Sequence, residues 1–299
     1  MRNTQEKRAV AAALLGNGIF GFSFMASKIA LQEAEPMVLL GFRFLLAFLV
    51  MNLILLSGKE KICLKGKPVG MLLLLGMFEP ILYFVFESYG IKWTTSAFSG
   101  VMIAMIPVVS MFFAAGFLGE IPKGRQIAFA LLSVCGVALV SCSGEAQGVI
   151  QLRGVLVLIL TVLSAVGYNI IGRKISADFT PFERTYVMFA MGSVVFGGGM
   201  LVGYGNHQTQ AVWQPLQSPQ FLGALFYLAV VSSVLAFLAL NYAITYLPVA
   251  KSTAFANMTT VISIFAGVLF LKEPFGLPAF IGAVMIIIGV YGVNREQQM

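Results

Sequence analysis

Long apolar stretches alternate with short polar connections along most of the 299-residue chain. A helix that crosses a membrane needs about 20 predominantly apolar residues, and ten stretches approach or exceed that length. Most connections between them contain Gly, Pro or Ser, which favour turns. The pattern predicts ten membrane-spanning helices, at residues 9–31, 36–57, 68–91, 96–118, 125–142, 154–173, 182–202, 221–246, 250–271 and 276–293.

The composition supports a membrane protein and excludes a soluble globular enzyme. Hydrophobic residues make up 59% of the chain and charged residues 10%, whereas charged residues make up roughly 25% of an ordinary soluble domain. Too few polar side chains remain to cover a water-soluble core. The predicted fold class is therefore an all-α integral membrane protein with almost nothing outside the bilayer.

The inventory of reactive side chains argues against an enzyme. The chain has one histidine and three cysteines, and none of the cysteines occurs in a metal-binding or redox pattern. No ATP-binding P-loop motif is present. We expect no catalytic residue, no metal and no cofactor. A membrane-embedded enzyme and a structural or sensory membrane protein are the alternatives outside transport.

Basic residues indicate the orientation, because cytoplasmic loops carry an excess of Lys and Arg. The basic N-terminus and the long apolar run after it predict a retained first helix rather than a signal peptide. With the N-terminus inside, 14 of the 19 basic residues lie on the inner side: Arg2, Lys7, Arg8, Lys59, Lys61, Lys65, Lys67, Lys123, Arg125, Arg173, Lys174, Arg184, Lys251 and Arg295. Topology, not nucleic-acid binding, then explains the net charge of +7, and both termini are expected in the cytoplasm.

The chain also contains an internal repeat. A shift of 153 residues superposes 89–137 on 242–290 without a gap, with matches that include Tyr89/Tyr242, Ile91/Ile244, Ser110/Ser263, Glu120/Glu273 and Gly136/Gly289. Pro36 and Pro181 begin the second and seventh predicted helices alike. We therefore predict two five-helix repeats, 1–146 and 147–299. Because five is odd, the second repeat is inverted in the membrane, an architecture typical of secondary transporters.

Several motifs occur in a characteristic order: Phe20-Gly21 followed by Lys28, Arg43-Phe44 with Ala47, the run from Gly90 to Ala97, Ile106-Pro107-Val108, Leu118-Gly119-Glu120, and Leu271-Lys272-Glu273. Together they resemble the EamA-type carriers of the drug/metabolite transporter superfamily over nearly the whole chain. The resemblance implies a carrier with a cavity lined by helices 1, 3, 4, 6, 8 and 9. It leaves the substrate open, because the family exports amino acids, other metabolites, nucleotide sugars and drugs.

The sequence departs from that family at two places. Phe20 stands where the family often has Trp, and Glu79 and Glu87 stand where many members have no carboxylate. An ionisable side chain inside a membrane helix costs roughly 2.5–3.5 kcal/mol on insertion scales, which makes it a functional candidate. At about 100° per residue, both carboxylates can face one cavity about 12 Å apart along the axis, with Tyr83 between them.

Glu79 and Glu87 are expected to accept a proton or to bind a substrate cation, with Tyr83 shaping the cavity wall. The alternative is internal pairing with Arg43 or Lys28. Because arginine stays charged, Arg43 is expected to pair with one of these glutamates, and the alternative is a bond to a substrate carboxylate. Lys28 is expected to anchor the outer end of the first helix at lipid headgroups.

Uncharged polar residues within the predicted spans are Asn17, Tyr168, Asn169, Asn241, Tyr242, Asn257 and Thr260. Hydrogen bonds between helices explain each one alone. Together they are expected to line the second half of the cavity. Pro107 is a candidate hinge in the fourth helix. Glu120 and Glu273 are expected to cap the helix that follows each of them.

The function predicted from the sequence is a secondary transporter that exports a small metabolite, such as an amino acid, by alternating access. A proton gradient or the substrate gradient itself would drive export. Efflux of organic cations or drugs is the alternative within transport, favoured by Glu79 and Glu87. The expected partners are a small-molecule substrate, protons and membrane lipid, without nucleic acid. We expect a monomer or weak homodimer in the plasma (inner) membrane.

Overall fold

A computed structural model describes residues 2–106, 108–110, 112–113, 123–142, 150–204, 209–247 and 256–298. This part of the chain contains no strand. Its main helices are α1 (Arg2–Glu33), α2 (Pro36–Leu56), α3 (Val69–Lys92), α4 (Ser96–Ile103), α5 (Gly124–Cys142), α6 (Leu152–Lys174), α7 (Pro181–Tyr204), α8 (Pro219–Tyr246), α9 (Ala256–Phe270) and α10 (Leu277–Gln298). A short helix, Thr209–Trp213, and a 3-10 turn, Gln214–Gln217, precede α8.

The helices confirm a multi-pass, all-α architecture. Six are long and apolar enough to cross a membrane, and they fall at Gln5–Glu33, Pro36–Leu56, Val69–Lys92, Leu152–Lys174, Pro181–Gly203 and Pro219–Tyr246. Helices α4, α5, α9 and α10 contain shorter apolar segments. Each of the ten predicted runs therefore overlaps one of these helices. Parts of the fourth and ninth runs lie outside the described residues.

Helix starts follow from local sequence. The Thr95 hydroxyl accepts a hydrogen bond from the Phe98 N–H at 3.0 Å, and the Ser218 hydroxyl accepts one from Phe221 at 3.3 Å. These bonds satisfy N–H groups that the first helical turn leaves free. Pro36 and Pro181 occupy the first positions of α2 and α7, where a missing N–H costs nothing.

Glu273 caps a helix, but a different helix from the one expected. Its carboxylate accepts hydrogen bonds from the backbone N–H groups of Ser96 at 2.7 Å and Ala97 at 2.9 Å, which begin α4. The expectation that it caps the following helix, α10, is wrong, because the fold brings the α9–α10 connection against the start of α4. Glu120 lies outside the described residues.

Two helices are interrupted by π-helical segments. They are Met77–Leu82 in α3 and Tyr227–Leu235 in α8, and Glu79 has extended backbone angles, φ −146° and ψ 117°. The expectation of regular helix through Glu79 and Pro80 is therefore wrong, because Pro80 has no N–H to donate. A shift of 153 residues moves 77–82 onto 230–235, within the second segment. Such segments are frequent at functional sites.

Helix packing relates the two halves of the chain. Helix α2 packs against α7, α4 against α9, and α5 against α10, while α1 packs against α8 and α3 against α6. Helices α5 and α10 approach each other closely at glycines. A Cβ on Gly136 would lie 2.6 Å from the Gly282 carbonyl oxygen, and one on Gly289 would lie 2.5 Å from that of Phe129. A shift of 153 residues interconverts these two contacts.

We expect Gly136→Ala to lower the free energy of unfolding by about 1–3 kcal/mol, because its methyl group would overlap a backbone oxygen that cannot rotate away. The measurement is thermal unfolding in detergent. Gly198→Ala in α7 is the matched control, since nothing lies within 4 Å of a Cβ at that position. Equal melting temperatures for the two variants would contradict the close contact between α5 and α10.

Candidate cavity between the helices

A cavity of about 100 Å³ lies among α1, α3, α6, α8, α9 and the segment that begins with α4. These are the six helices that the family resemblance implied. Its walls are formed by Asn17, Phe20, Ser23, Phe24, Glu79, Tyr83, Phe84, Glu87, Ile103, Ile106, Ala165, Tyr168, Asn169, Phe237, Leu240, Ile244 and Thr259. Six of the predicted site residues therefore line it, namely Asn17, Glu79, Tyr83, Glu87, Tyr168 and Asn169.

The carboxylates of the cavity come from α3. Glu79 is 5% exposed and Glu87 is 4% exposed. Ion pairs within 4.0 Å in the described part of the chain are Lys67–Glu183 and Lys92–Glu35, so neither cavity carboxylate is directly paired with a basic side chain. Tyr83 lies beside Glu87 and interacts with it. A buried carboxylate without an adjacent basic group is costly to keep charged, which favours its holding a proton or binding a cation.

Aromatic rings face the carboxylates. Phe20 of α1 and Phe237 of α8 meet edge to face, with ring centroids 5.3 Å apart. Phe84 of α3 lies 6.0 Å from Phe237. These rings make much of the wall apolar, so the cavity combines charged and polar groups with surface suited to an apolar part of a ligand.

Polar side chains from the second half of the protein chain are linked by hydrogen bonds. The Tyr168 hydroxyl donates to Asn241 Oδ1 at 3.1 Å, and Asn241 Nδ2 donates to Thr185 Oγ1 at 3.0 Å. Asn241 does not line the cavity, but it orients Tyr168, which does. On the other side, the Thr259 hydroxyl donates to the carbonyl oxygen of Asn17 at 2.9 Å. These bonds fix the donors and acceptors that the cavity presents.

Arg43 is fully buried next to this site without lining it. Its Nε donates to the Ser233 hydroxyl at 3.0 Å and its Nη2 to the Ser232 hydroxyl at 3.4 Å, both on the π-helical segment of α8. The guanidinium lies 4.2 Å from the centre of the Phe84 ring. The expected direct ion pair with Glu79 or Glu87 is absent among the described residues, because the serines and the ring occupy the guanidinium. Arg43 balances the carboxylates from a distance.

Other predicted residues lie elsewhere or cannot be placed. Tyr242 lies outside the cavity and stacks on Tyr246, with ring centroids 4.6 Å apart. Thr260 donates to the Gly100 carbonyl oxygen at 3.0 Å and so joins α9 to α4. Pro107 lies outside the described residues, and so does the side chain of Asn257. The hinge at Pro107 stays a prediction.

Two basic residues differ from the expectation. Lys28 was expected at lipid headgroups, but its ammonium donates to the carbonyl oxygens of Ile91, at 2.8 Å, and Thr94. Arg184 was expected on the inner surface, but it is 0% exposed. Its Nη2 donates to the Asn241 carbonyl oxygen at 2.8 Å. Counting basic residues near helix ends does not distinguish a solvated side chain from one that bonds to backbone carbonyls of another helix.

The repeat could have revealed the cavity residues that the sequence reading missed. Pro36 and Pro181 are 145 positions apart, and the same offset relates α1 to α6. An offset of 153 relates α3, α4 and α5 to α8, α9 and α10. Six equivalent pairs line the cavity on both sides: Phe20/Ala165, Ser23/Tyr168, Phe24/Asn169, Phe84/Phe237, Glu87/Leu240 and Ile106/Thr259. Subtracting 145 from Tyr168 and Asn169, which were predicted from the sequence, gives Ser23 and Phe24, so the repeat predicts that these two residues also line the cavity.

Comparison with known proteins places the chain in a family. The EamA-like transporter family profile matches residues 7–142 and again residues 152–295. "Uncharacterized transporter YcxC" of Bacillus subtilis (strain 168) is 36% identical over 292 residues, which is 97% of this chain and 94% of the relative. "Probable terminal-alkyne amino-acid exporter" of Streptantibioticus cattleyicolor is 27% identical over 233 residues, which is 78% of this chain and 75% of the relative.

A known crystal structure of a protein with 16% sequence identity superposes with a TM-score of 0.66 and covers 98% of this chain and 99% of that one. At this identity the likeness shows a shared fold alone. The family profile and the Bacillus relative both span nearly the whole chain, and the relatives are named as transporters. The protein therefore belongs to the EamA-like transporter family.

Proposed function

We propose that this protein is a secondary transporter that exports a small metabolite, such as an amino acid, through the cavity by alternating access. The observation that carries the proposal is the pair of buried carboxylates, Glu79 and Glu87, without a direct basic partner in a cavity lined by equivalent residues of both halves. A carboxylate kept in such a place is costly to the fold, which favours a role in binding.

The arrangement proposed for the membrane is ten spans in two inverted five-helix repeats, 1–146 and 147–299. The double match of the family profile supports it. The pairing of α2 with α7, α4 with α9 and α5 with α10 also supports it, because a two-fold axis in the membrane plane brings equivalent helices together. The distribution of basic residues supports cytoplasmic termini, and we propose the plasma (inner) membrane as the location.

An amino acid suits the cavity because both of its charged groups find partners. The ammonium group would lie against Glu79 or Glu87. The carboxylate group would take hydrogen bonds from donors of the other half, such as Asn169. The exporter name of the Streptantibioticus relative supports this substrate class. The second glutamate is then available for a proton, which would couple export to a proton gradient.

Organic cations are the second candidate substrate. Among the described residues, those that line the cavity include two carboxylates and no Lys, Arg or His. An amine with an apolar body would place its charge at Glu79 and Glu87 and its body against Phe20, Phe24 and Phe237. Unlike an amino acid, such an amine has no carboxylate, so the cavity would not have to supply hydrogen-bond donors for one.

Counterflow in proteoliposomes tests the proposal and separates the two substrates. Vesicles are loaded with one compound from a panel of aromatic and aliphatic amino acids, the matching amines and the matching carboxylic acids. Uptake of the same radiolabelled compound is then followed without any gradient. We expect accelerated uptake for amino acids and none for the carboxylic acids.

Acceleration by the amines alone would favour the organic-cation function. Absence of acceleration by any compound, with protein shown to be folded by a cooperative melting transition, would contradict transport of either class. Empty liposomes and vesicles that contain the double variant Glu79→Gln, Glu87→Gln are the matched controls.

A further inference from the structure

One basic residue joins α1 to the end of α3. Lys28, a half-buried residue near the end of α1, donates from Nζ to the carbonyl oxygens of Ile91, at 2.8 Å, and Thr94. Ile91 lies in the last turn of α3, which ends at Lys92, and Thr94 lies in the connection that follows. The last turn of a helix carries the negative end of the helix dipole, which favours a cation. The bond closes the end of the bundle that the basic residues assign to the exterior.

A second basic residue makes the corresponding bond at the opposite end. Arg173, near the end of α6, donates from Nη1 to the carbonyl oxygen of Ile244 at 3.1 Å. Helix α8 ends at Tyr246, so Ile244, like Ile91, lies in the last turn of its helix. Ile244 itself lines the cavity. The bond therefore ties α6 to α8 directly beside the cavity, at its cytoplasmic end.

The two bonds are equivalent in the repeat. The offset of 145 that relates Pro36 to Pro181 also relates Lys28 to Arg173, and the offset of 153 relates Ile91 to Ile244. Donor and acceptor in one half thus correspond to donor and acceptor in the other. In an inverted repeat, equivalent contacts lie at opposite faces of the membrane.

We infer that Lys28 and Arg173 are paired positioning residues that hold the cavity shut on the exterior and the cytoplasmic side, respectively, and that release alternately during transport. This inference rests on the proposed transport function. Each residue determines which side of the cavity is open, without contacting the substrate. If the two repeats exchanged conformations, the Lys28 bond would become the weaker of the two and the Arg173 bond the stronger.

The two bonds differ in strength in this structure. Lys28 donates to two carbonyl oxygens from a half-buried position, whereas Arg173 donates to one from an exposed position. Water weakens the exposed bond more. The structure is therefore closed more firmly on the exterior side, and loss of Lys28 should alter the balance of conformations more than loss of Arg173.

Side-specific labelling of one cavity cysteine tests this inference. Ser23→Cys is introduced after Cys63, Cys135 and Cys142 have been replaced by alanine, and its reaction with a membrane-impermeant maleimide is followed in right-side-out and inside-out vesicles. We expect Lys28→Met to raise the rate from the exterior about tenfold, the effect of losing a hydrogen bond to a charged group. Arg173→Met should raise the rate from the cytoplasmic side by a smaller factor.

Matched controls separate these bonds from general loss of charge. Lys92→Met removes a basic residue at the exterior end that bonds to the Glu35 side chain, and Lys174→Met removes the exposed neighbour of Arg173. Both should leave the two labelling rates unchanged. Lys28→Arg and Arg173→Lys retain a hydrogen-bond donor, so both labelling rates should stay as they are in the parent protein. If Lys28→Met fails to fold, Lys28→Gln replaces it.

The outcomes distinguish this inference from the proposed function. Labelling of the parent from both sides, with rates that Lys28→Met and Arg173→Met do not change, would overturn the inference and leave transport standing. Equal increases on both sides would also overturn it, because they indicate general loosening. Labelling from one side only in the parent and in every variant would contradict alternating access itself.

Discussion

Arg43→Met is expected to lower the free energy of unfolding in detergent by about 3–5 kcal/mol, the cost typical of removing one charge from a buried, compensated set. The guanidinium is the positive charge nearest to Glu79 and Glu87, and methionine retains only the apolar part of the side chain. The two carboxylates would then lack a compensating charge. Ser232 and Ser233 would lose their donor at the same time. Thermal and denaturant unfolding measure the effect.

Two further variants separate charge from hydrogen bonding. Ser233→Ala removes one acceptor but leaves the arginine charge, so it should cost about 1 kcal/mol. Arg43→Met combined with Glu87→Gln removes opposite charges together and should recover much of the stability lost in the single variant. A stable Arg43→Met protein that selectively loses affinity for substrates with a carboxylate would contradict this structural role and place Arg43 in the binding site.

One of the two variants Glu79→Gln and Glu87→Gln, the one that removes the carboxylate holding the substrate ammonium, is expected to lower the counterflow rate about 10- to 100-fold. A hydrogen bond to a charged group contributes about 1.5–3 kcal/mol, and every 1.4 kcal/mol or so changes an equilibrium tenfold. Stability should fall by no more than about 1 kcal/mol, because the remaining carboxylate still balances Arg43. Glu60→Gln, in the exposed connection between α2 and α3, is the matched control.

The same two variants distinguish substrate binding from proton transfer. If a carboxylate holds the substrate cation, its Gln variant should lose binding in the absence of any gradient. If binding and counterflow survive while uptake driven by a pH gradient fails, that carboxylate carries the proton. Full retention of binding, counterflow and driven uptake in both variants would contradict a role for the carboxylates.

The hydropathy pattern was sufficient to predict an all-helical protein with several membrane-spanning helices. Apolar runs specify helices in a membrane because every backbone polar group must be bonded within its own helix. The intramembrane charges of Glu79 and Glu87 pointed to the cavity because only a functional or paired group offsets their cost. Both residues line the cavity, although the helix between them is not regular.

The hydropathy pattern along the chain could not predict which side chains of distant helices bond to each other. The bond from Lys28 to Ile91 and the bonds from Arg184 to α6 and α8 depend on which helix ends meet in three dimensions. The π-helical segments likewise arise from Pro80 and from packing rather than from hydropathy. Arg43 was correctly placed inside the bundle, but its serine partners are 190 residues away in the chain.

Alternating access in this account requires that equivalent connections of the two repeats lie on opposite faces of the membrane. The connection between α2 and α3 contains the exposed Cys63, and the connection between α7 and α8 contains the exposed Gln210. The measurement is labelling with an impermeant maleimide in intact and permeabilised cells. One protein keeps only Cys63, and the other carries Gln210→Cys without native cysteines. We expect Gln210→Cys to react in intact cells and Cys63 only after permeabilisation, whereas reaction of both from the same side would contradict the inverted repeat.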